Sequence, residues 1–292
     1  MRSLLLVNPR ASRVAKRGSR LRALADRTGT DYRLLQDRLP DVSGYDRVFI
    51  EGGDGTLQRG LSELLSRGPV PDIVVVSGGT TNQVANILAP DDTGLDALEA
   101  LLSRPGARRR LPLLRIDNGA DQTFGFLLST GAIPQVTQRV SEPDGRASST
   151  GLALVGKAIV SATRPGSQWI EPTELRLQAS SDEELIVLDG PHLGTVMTTL
   201  PSLYHGLDPF WGEGSGPLRL THVASDARGL LPTILGVWAG RKNAERLRER
   251  GYQSLRAHGV TMELSSPAVL DGETLEGTRL EVCASDPVTF VS

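Results

Sequence analysis

The first third of the chain is punctuated by short apolar runs, each closed by glycine, proline or asparagine. Leu4 to Val7 is such a run, ended by Asn8-Pro9-Arg10, and predicts a buried strand. Val14 to Arg27 follows with apolar positions Val14, Leu21, Leu24 and Ala25 at helical spacing. Strands are expected at Tyr32 to Leu35, at Arg47 to Glu51 and over the β-branched run Asp72 to Ser77. Between the last two, Leu57, Leu61, Leu64 and Leu65 give Thr56 to Leu65 the pattern of a helix stopped by Gly68-Pro69. Val84 to Leu88 and Leu95 to Leu102 predict two further helices.

Beyond Arg104-Pro105-Gly106-Ala107-Arg108-Arg109-Arg110 the texture changes. That segment reads as a solvated linker. Strand-like pieces then dominate: Leu111 to Ile116, Thr123 to Leu128, Thr173 to Gln178, Leu185 to Leu188, Thr195 to Thr198, Leu218 to Val223 and Tyr252 to Leu264. Helices are expected near Leu152 to Thr163 and Leu230 to Ala239. The pattern predicts an α/β fold: a parallel α/β domain over 1–110, then a mostly antiparallel β-sandwich domain over 111–292, with a site in the cleft between them. The final strand is free to return to the first domain.

Composition changes this picture little. The 292 residues are 39% hydrophobic and 23% charged, as in ordinary globular proteins. The formal net charge of -2 gives no basic character that would point to nucleic acid. A lone cysteine, Cys283, excludes an intrachain disulfide framework and CxxC metal sites. No apolar run reaches the roughly 18 residues of a membrane span, and the expected location is cytoplasmic. The basic residues of the first helix, including Arg17, Arg20 and Arg22, read as solvated, whereas Arg10, Arg13 and Lys16 near the first loop could meet phosphates. His192, His205, His222 and His258 show no metal-ligand spacing and read as structural or surface histidines.

The candidate chemistry sits where strands end. Gly52-Gly53-Asp54-Gly55-Thr56 follows one strand, and Gly78-Gly79-Thr80-Thr81-Asn82 follows the next, about one βαβ unit of roughly 30 residues later. Glycines allow a tight turn and a close backbone approach, and a helix N-terminus behind them favours phosphate oxygens. A single such turn is equally a plain strand-to-helix connection. Two at the carboxyl edge of one parallel sheet favour a polyphosphate site. Thr80, Thr81 and Asn82 also suit helix capping, which is compatible with ligand contact. Near the end, Asp271-Gly272-Glu273 reads by itself as a tight hairpin.

These motifs, with Val7-Asn8-Pro9 before them and Gly131-Ala132 within Phe126 to Val136, resemble the diacylglycerol kinase catalytic-domain family, which includes bacterial lipid kinases and sphingosine and ceramide kinases. The resemblance implies ATP and Mg²⁺ as cofactors and a lipid alcohol, such as diacylglycerol or a sphingoid base, as phosphoryl acceptor in phospholipid biosynthesis. Asn8, Pro9, Gly52, Gly53, Asp54, Gly55, Thr56, Gly79, Thr80, Thr81 and Asn82 would hold the nucleotide, with Asp54 beside the metal. Glu273 would take the hydroxyl proton, with Asp54 its rival for that role. Transient peripheral contact with a membrane follows from such an acceptor; a homodimer is compatible.

The chain departs from the family at three places. Gln83 stands where an Asp is usual. Trp211 to Leu218 lacks the Asp-Gly pair that helps bind a structural Mg²⁺, with Ser215 or Glu213 at best in its place. Tyr204 and Phe210-Trp211 beside that loop fit either a lipid-facing rim or a packed core edge. An NAD kinase is the alternative activity: it shares the Gly-Gly-Asp-Gly-Thr motif, and Gly125-Phe126-Leu127 echoes one of its segments. A Gly-Ser-Thr-Ala-Tyr-like motif is missing, however. A nucleotide- or lipid-binding protein without kinase activity is the third reading.

Overall fold

The apolar runs of the first third become the strands of a parallel sheet. The computed structural model describes residues 1–11, 14–35, 39–77, 88, 95–103, 106–132, 171–181, 184–203 and 208–292. The expected helices at Val84 to Leu88 and Leu152 to Thr163, and the turn Gly78 to Asn82 with Gln83, lie outside these residues, save Leu88. Chain contacts define two units, Met1–Leu113 with Asp286–Ser292, and Leu114–Ser285.

The first unit opens with Ser3–Val7 (β1), then Val14–Thr28 (α1), Asp31–Leu34 (β2), Arg47–Gly52 (β3), Asp54–Leu65 (α2), Asp72–Ser77 (β4), Leu95–Ser103 (α3) and Arg108–Leu111 (β5). Among the described residues its sheet runs β2, β1, β3, β4, then the chain's last strand Val288–Val291 (β17), then β5. The neighbours from β2 to β17 are parallel, and β17 is antiparallel to β5. Every residue of β1 and β3 is buried, as expected for strands covered on both faces. Leu5, Val7, Phe49, Val74 and Val76 pack with Leu21, Leu24 and Ala25 of α1 and with Leu98 and Leu102 of α3.

The arginine run is not a linker. Arg108 to Arg110 are exposed, yet they form β5 and pair with Val291, Phe290 and Thr289. The expected strand Leu111 to Ile116 is therefore two strands, with Pro112 and Leu113 between them.

The second unit begins with Leu114–Asp117 (β6), Gln122–Gly125 (β7), Leu127–Gly131 (β8) and Thr173–Ser180 (β9). Leu185–Thr198 (β10), Leu218–Ala224 (β11), the helices Leu230–Trp238 (α4) and Ala244–Arg248 (α5), Tyr252–Ala257 (β12) and Gly259–Leu264 (β13) come next. Ala268–Leu270 (β14), Glu273–Leu275 (β15) and Arg279–Ala284 (β16) complete it. The sheet pairs that join these strands are antiparallel. Leu185 to Leu188 and Thr195 to Thr198 belong to one 14-residue strand, since Gly190, Pro191 and Gly194 bend it without ending it. Its first half pairs β9, and its second half lies between β8 and β11 after a bulge at His192 to Gly194. One long strand thus serves two halves of the sheet, which curls over a shared core of Leu177, Met197, Leu220, Met262, Leu270 and Leu280 among others. Tyr252 to Leu264 is conversely two strands, split at His258.

Candidate phosphate-binding turn and acidic hairpin

β3 delivers the chain to Gly52, and α2 starts at Asp54. A Cβ on Gly52 would lie 2.5 Å from the Cβ of Thr56, so only glycine fits there. Gly53 caps the helix in an extended conformation without a side-chain cap bond. The first-turn amides of α2 therefore gather at the carboxyl end of β3, with Gly53, Asp54, Gly55 and Thr56 all half-buried. Asp54 sits in the positive first turn, where a carboxylate is stabilised.

The first loop is joined to this turn. The Asn8 amide donates to Thr56 Oγ1 at 2.7 Å, and the Asn8 backbone N–H donates to the Glu51 carbonyl at 3.0 Å. Asn8 Oδ1 accepts from the Arg10 N–H at 2.9 Å. Asn8, Gly52, Gly53, Asp54, Gly55 and Thr56 are thus brought together, with Pro9 half-buried next to Asn8 in the same loop. Gly79, Thr80, Thr81 and Asn82 lie outside the described residues, as do Arg13 and the Lys16 side chain.

Arg17 corrects the solvated reading. Its guanidinium ion-pairs with the fully buried Glu51 at 2.5 Å, with Nε donating to the same oxygen at 3.0 Å, and it also donates to the Ser77 carbonyl. Glu51 and Ser77 end β3 and β4, so one side chain from α1 bridges the strand ends that lead into the two glycine turns. The sequence held a signal for this. An acid at the end of the apolar run Val48-Phe49-Ile50 demands a cation once buried.

Glu273 lies in the second unit and is exposed at the start of β15. Asp271 and Gly272 form the two-residue turn joining Leu270 to Glu273, with φ of 50° and 95°. Both are left-handed, as this hairpin type requires. Asp271 does more than turn the chain. Its carboxylate accepts from the backbone N–H groups of Phe126 and Leu127, each at 2.9 Å. A Cβ at Gly125 would lie 2.6 Å from Asp271 Oδ2. Gly125 is therefore a space requirement of this clamp. On the other side Thr198 Oγ1 donates to the Phe126 carbonyl at 2.6 Å.

The Trp211 to Leu218 loop is packed against β12. Cβ atoms at Gly212 and Gly216 would fall on the backbone of Leu255 and Ala257, and Ser254 Oγ accepts from the Trp211 and Gly212 N–H groups. Phe210 is buried, and Trp211 packs against Val237, Leu247 and Tyr252, so both serve a core edge. Tyr204 is outside the described residues. Among the described residues no group of three His, Cys, Asp or Glu side chains could hold a metal ion.

His192 and His222 stack with ring centroids 5.7 Å apart. Burial drives both pKa values down, that of His222 to about 4, where the neighbouring His192 adds to the effect. Thr130 and the Thr173 carbonyl partner His192, and Thr195 partners His222. They are neutral, hydrogen-bonded interior groups.

No described helix is long and apolar enough to cross a membrane. Residues 2–111 match the family model for the diacylglycerol kinase catalytic domain. A "Putative lipid kinase" of Streptococcus pneumoniae is 28% identical over 103 residues, which is 34% of this chain and 32% of that relative, so the match spans about a third of its length. A "putative diacylglycerol kinase" of Bacillus anthracis shares the fold with a TM-score of 0.67 at 16% identity, over 99% of this chain and 94% of that one. An NAD kinase of Archaeoglobus fulgidus, solved with ATP, has a TM-score of 0.53 at 13% identity, over 100% and 94% of the two chains. The resemblance read from the two glycine turns thus holds: this chain resembles the diacylglycerol kinase family, through the catalytic-domain match over residues 2–111 and a fold shared along its length.

Proposed function

We propose that the protein is an ATP- and Mg²⁺-dependent lipid kinase that transfers the γ-phosphoryl group to a lipid hydroxyl. The observation that carries this reading is the joined pair of loops at the carboxyl edge of the parallel sheet. Asn8 is bonded to Thr56 across a turn that only glycine can make at position 52. Phosphoryl transfer needs positioned donors and charge neutralisation more than covalent chemistry. The N–H groups of Gly53 to Thr56 supply donors without reorganising.

The donor set suits Mg²⁺, which commonly takes one or two carboxylates and completes its shell with phosphate oxygens and water. Asp54 is the carboxylate at this turn. When bound, the ion would neutralise charge on the phosphates. The acceptor hydroxyl also needs a base, and Glu273 fills that role, held on its hairpin by the Asp271 clamp.

NAD phosphorylation is the second reading, favoured by the fold shared with the archaeal NAD kinase. Incubation with labelled ATP, Mg²⁺ and a lipid extract, with products identified by mass, separates the two when NAD is offered in parallel. A phosphorylated lipid is expected. NADP as the product would replace the lipid reading, and no transfer to either acceptor would leave a binding protein.

A further inference from the structure

Residues 230–238, Leu-Leu-Pro-Thr-Ile-Leu-Gly-Val-Trp, make a helix without a single charged side chain. An apolar helix of a soluble domain normally buries all its faces. α4 buries one. Val237, with Leu230 beside it, packs on Leu247 of α5, on Tyr252 of β12 and on Trp211 and Val223. Leu231, Ile234 and Leu235 stand at i, i+3 and i+4 on another face, and none of them belongs to that cluster. Leu235 is 51% exposed, whereas Leu231 and Ile234 are half-buried.

The sequence on either side of this helix is basic. Arg228 precedes the helix, and Arg241, Arg246 and Arg248 follow it, all four exposed. Lys242 is tied into the fold through Asp208 and the Phe210 carbonyl. Between 226 and 250 the chain carries six basic residues against three acidic ones, although its formal net charge is -2. The apolar strip and the positive flank therefore share one stretch of sequence in a chain that is acidic as a whole.

We infer that α4 and its arginine flank dock the protein on an anionic lipid surface, with Leu231, Ile234 and Leu235 entering the headgroup boundary and Arg228, Arg241, Arg246 and Arg248 meeting lipid phosphates. This is the arrangement of an interfacial helix that lies on a membrane without crossing it. Charge selects this occupant. A second copy would set arginines against arginines, while an anionic bilayer satisfies both the apolar strip and the positive flank. The inference rests on the reading of a lipid acceptor, since docking would bring the enzyme to the surface that holds its substrate.

The test is sedimentation of the full chain with vesicles of phosphatidylglycerol or of phosphatidylcholine, without ATP or acceptor. The wild type is expected to partition onto phosphatidylglycerol and to be released by salt. Leu235→Glu should weaken that partition about tenfold or more. Arg241→Gln, Arg246→Gln and Arg248→Gln combined should weaken it about a hundredfold, at roughly fivefold for each charge. All four positions are exposed, so the variants should melt with the wild type. Activity on a detergent-dispersed acceptor should persist in them, while activity on a vesicle-borne acceptor falls. Equal partition on both lipids, or variants that bind like the wild type, overturns the proposal. So does a dimer that Leu235→Glu dissociates, because the strip would then belong to a second copy. A protein that docks as expected but phosphorylates no lipid leaves the docking surface standing and removes the acceptor reading instead.

Discussion

Two acidic glycine turns, Gly52 to Thr56 and Asp271 to Glu273, look alike as sequence and differ as structures. In the first, glycine is required because Thr56 folds back over Gly52, and the turn opens directly into α2. In the second, both turn residues have left-handed backbones, and the chain returns at once into a paired strand. The first acid, Asp54, stands in the mouth of a helix. The second turn divides its acids: Asp271 is engaged by two backbone N–H groups, and Glu273 is left exposed one residue beyond Gly272. The first turn sets its acid at a helix start, whereas the second uses the Asp271 carboxylate internally, on the Phe126 and Leu127 N–H groups.

The strongest way to break this comparison is Asp54→Asn, which should lower phosphoryl transfer by about 10⁴-fold with little change in thermal stability. Glu273→Gln should lower it by about 10³-fold at unchanged thermal stability. Asp271→Asn sharpens the contrast. Asparagine tolerates the left-handed turn, so folding should survive, and the loss of one clamp acceptor should lower kcat by about tenfold. In a Glu273→Gln background the same substitution should have no further effect. Equal losses in both backgrounds would make Asp271 a structural residue only.

The next effect belongs to the strand ends beneath the first turn. Arg17→Met leaves the Glu51 carboxylate buried without its guanidinium and should destabilise the protein by about 3 kcal/mol in urea unfolding. Adding Glu51→Gln should recover most of that loss. The smallest effect concerns the histidine pair. The folded pKa of His222 lies below the ordinary histidine value of about 6.5, so at neutral pH neither state is charged. As pH falls through about 6.5, the unfolded chain takes up a proton that the folded chain refuses, and stability drops until about pH 4. A loss of roughly 2 kcal/mol by about pH 4.5 is expected, and His222→Asn should flatten that limb in melts across the range.

The central strands and the first glycine turn were legible in the sequence because their signals are local. Val48-Phe49-Ile50 is apolar on both faces, and glycines with a helical repeat behind them mark a turn wherever they occur. Asp271-Gly272 was legible as a hairpin for the same reason. β5 was not, because Arg108-Arg109-Arg110 has no apolar alternation and becomes a strand only by pairing with β17, the far end of the chain. The length of β10 was hidden by Gly190, Pro191 and Gly194, which usually end strands but here bend one. Arg17 and Asp271 were hidden differently. Their partners lie 34 and about 145 residues away, and no spacing rule connects such positions before the fold does.

The most direct measurement of the central claim is transfer of labelled γ-phosphate from ATP to lipid alcohols by the wild type and by Asp54→Asn at matched folding. The account predicts a phosphorylated lipid from the wild type and almost none from the variant. Transfer that is unchanged by Asp54→Asn, or wild-type protein that phosphorylates no lipid while it converts NAD to NADP, would contradict it.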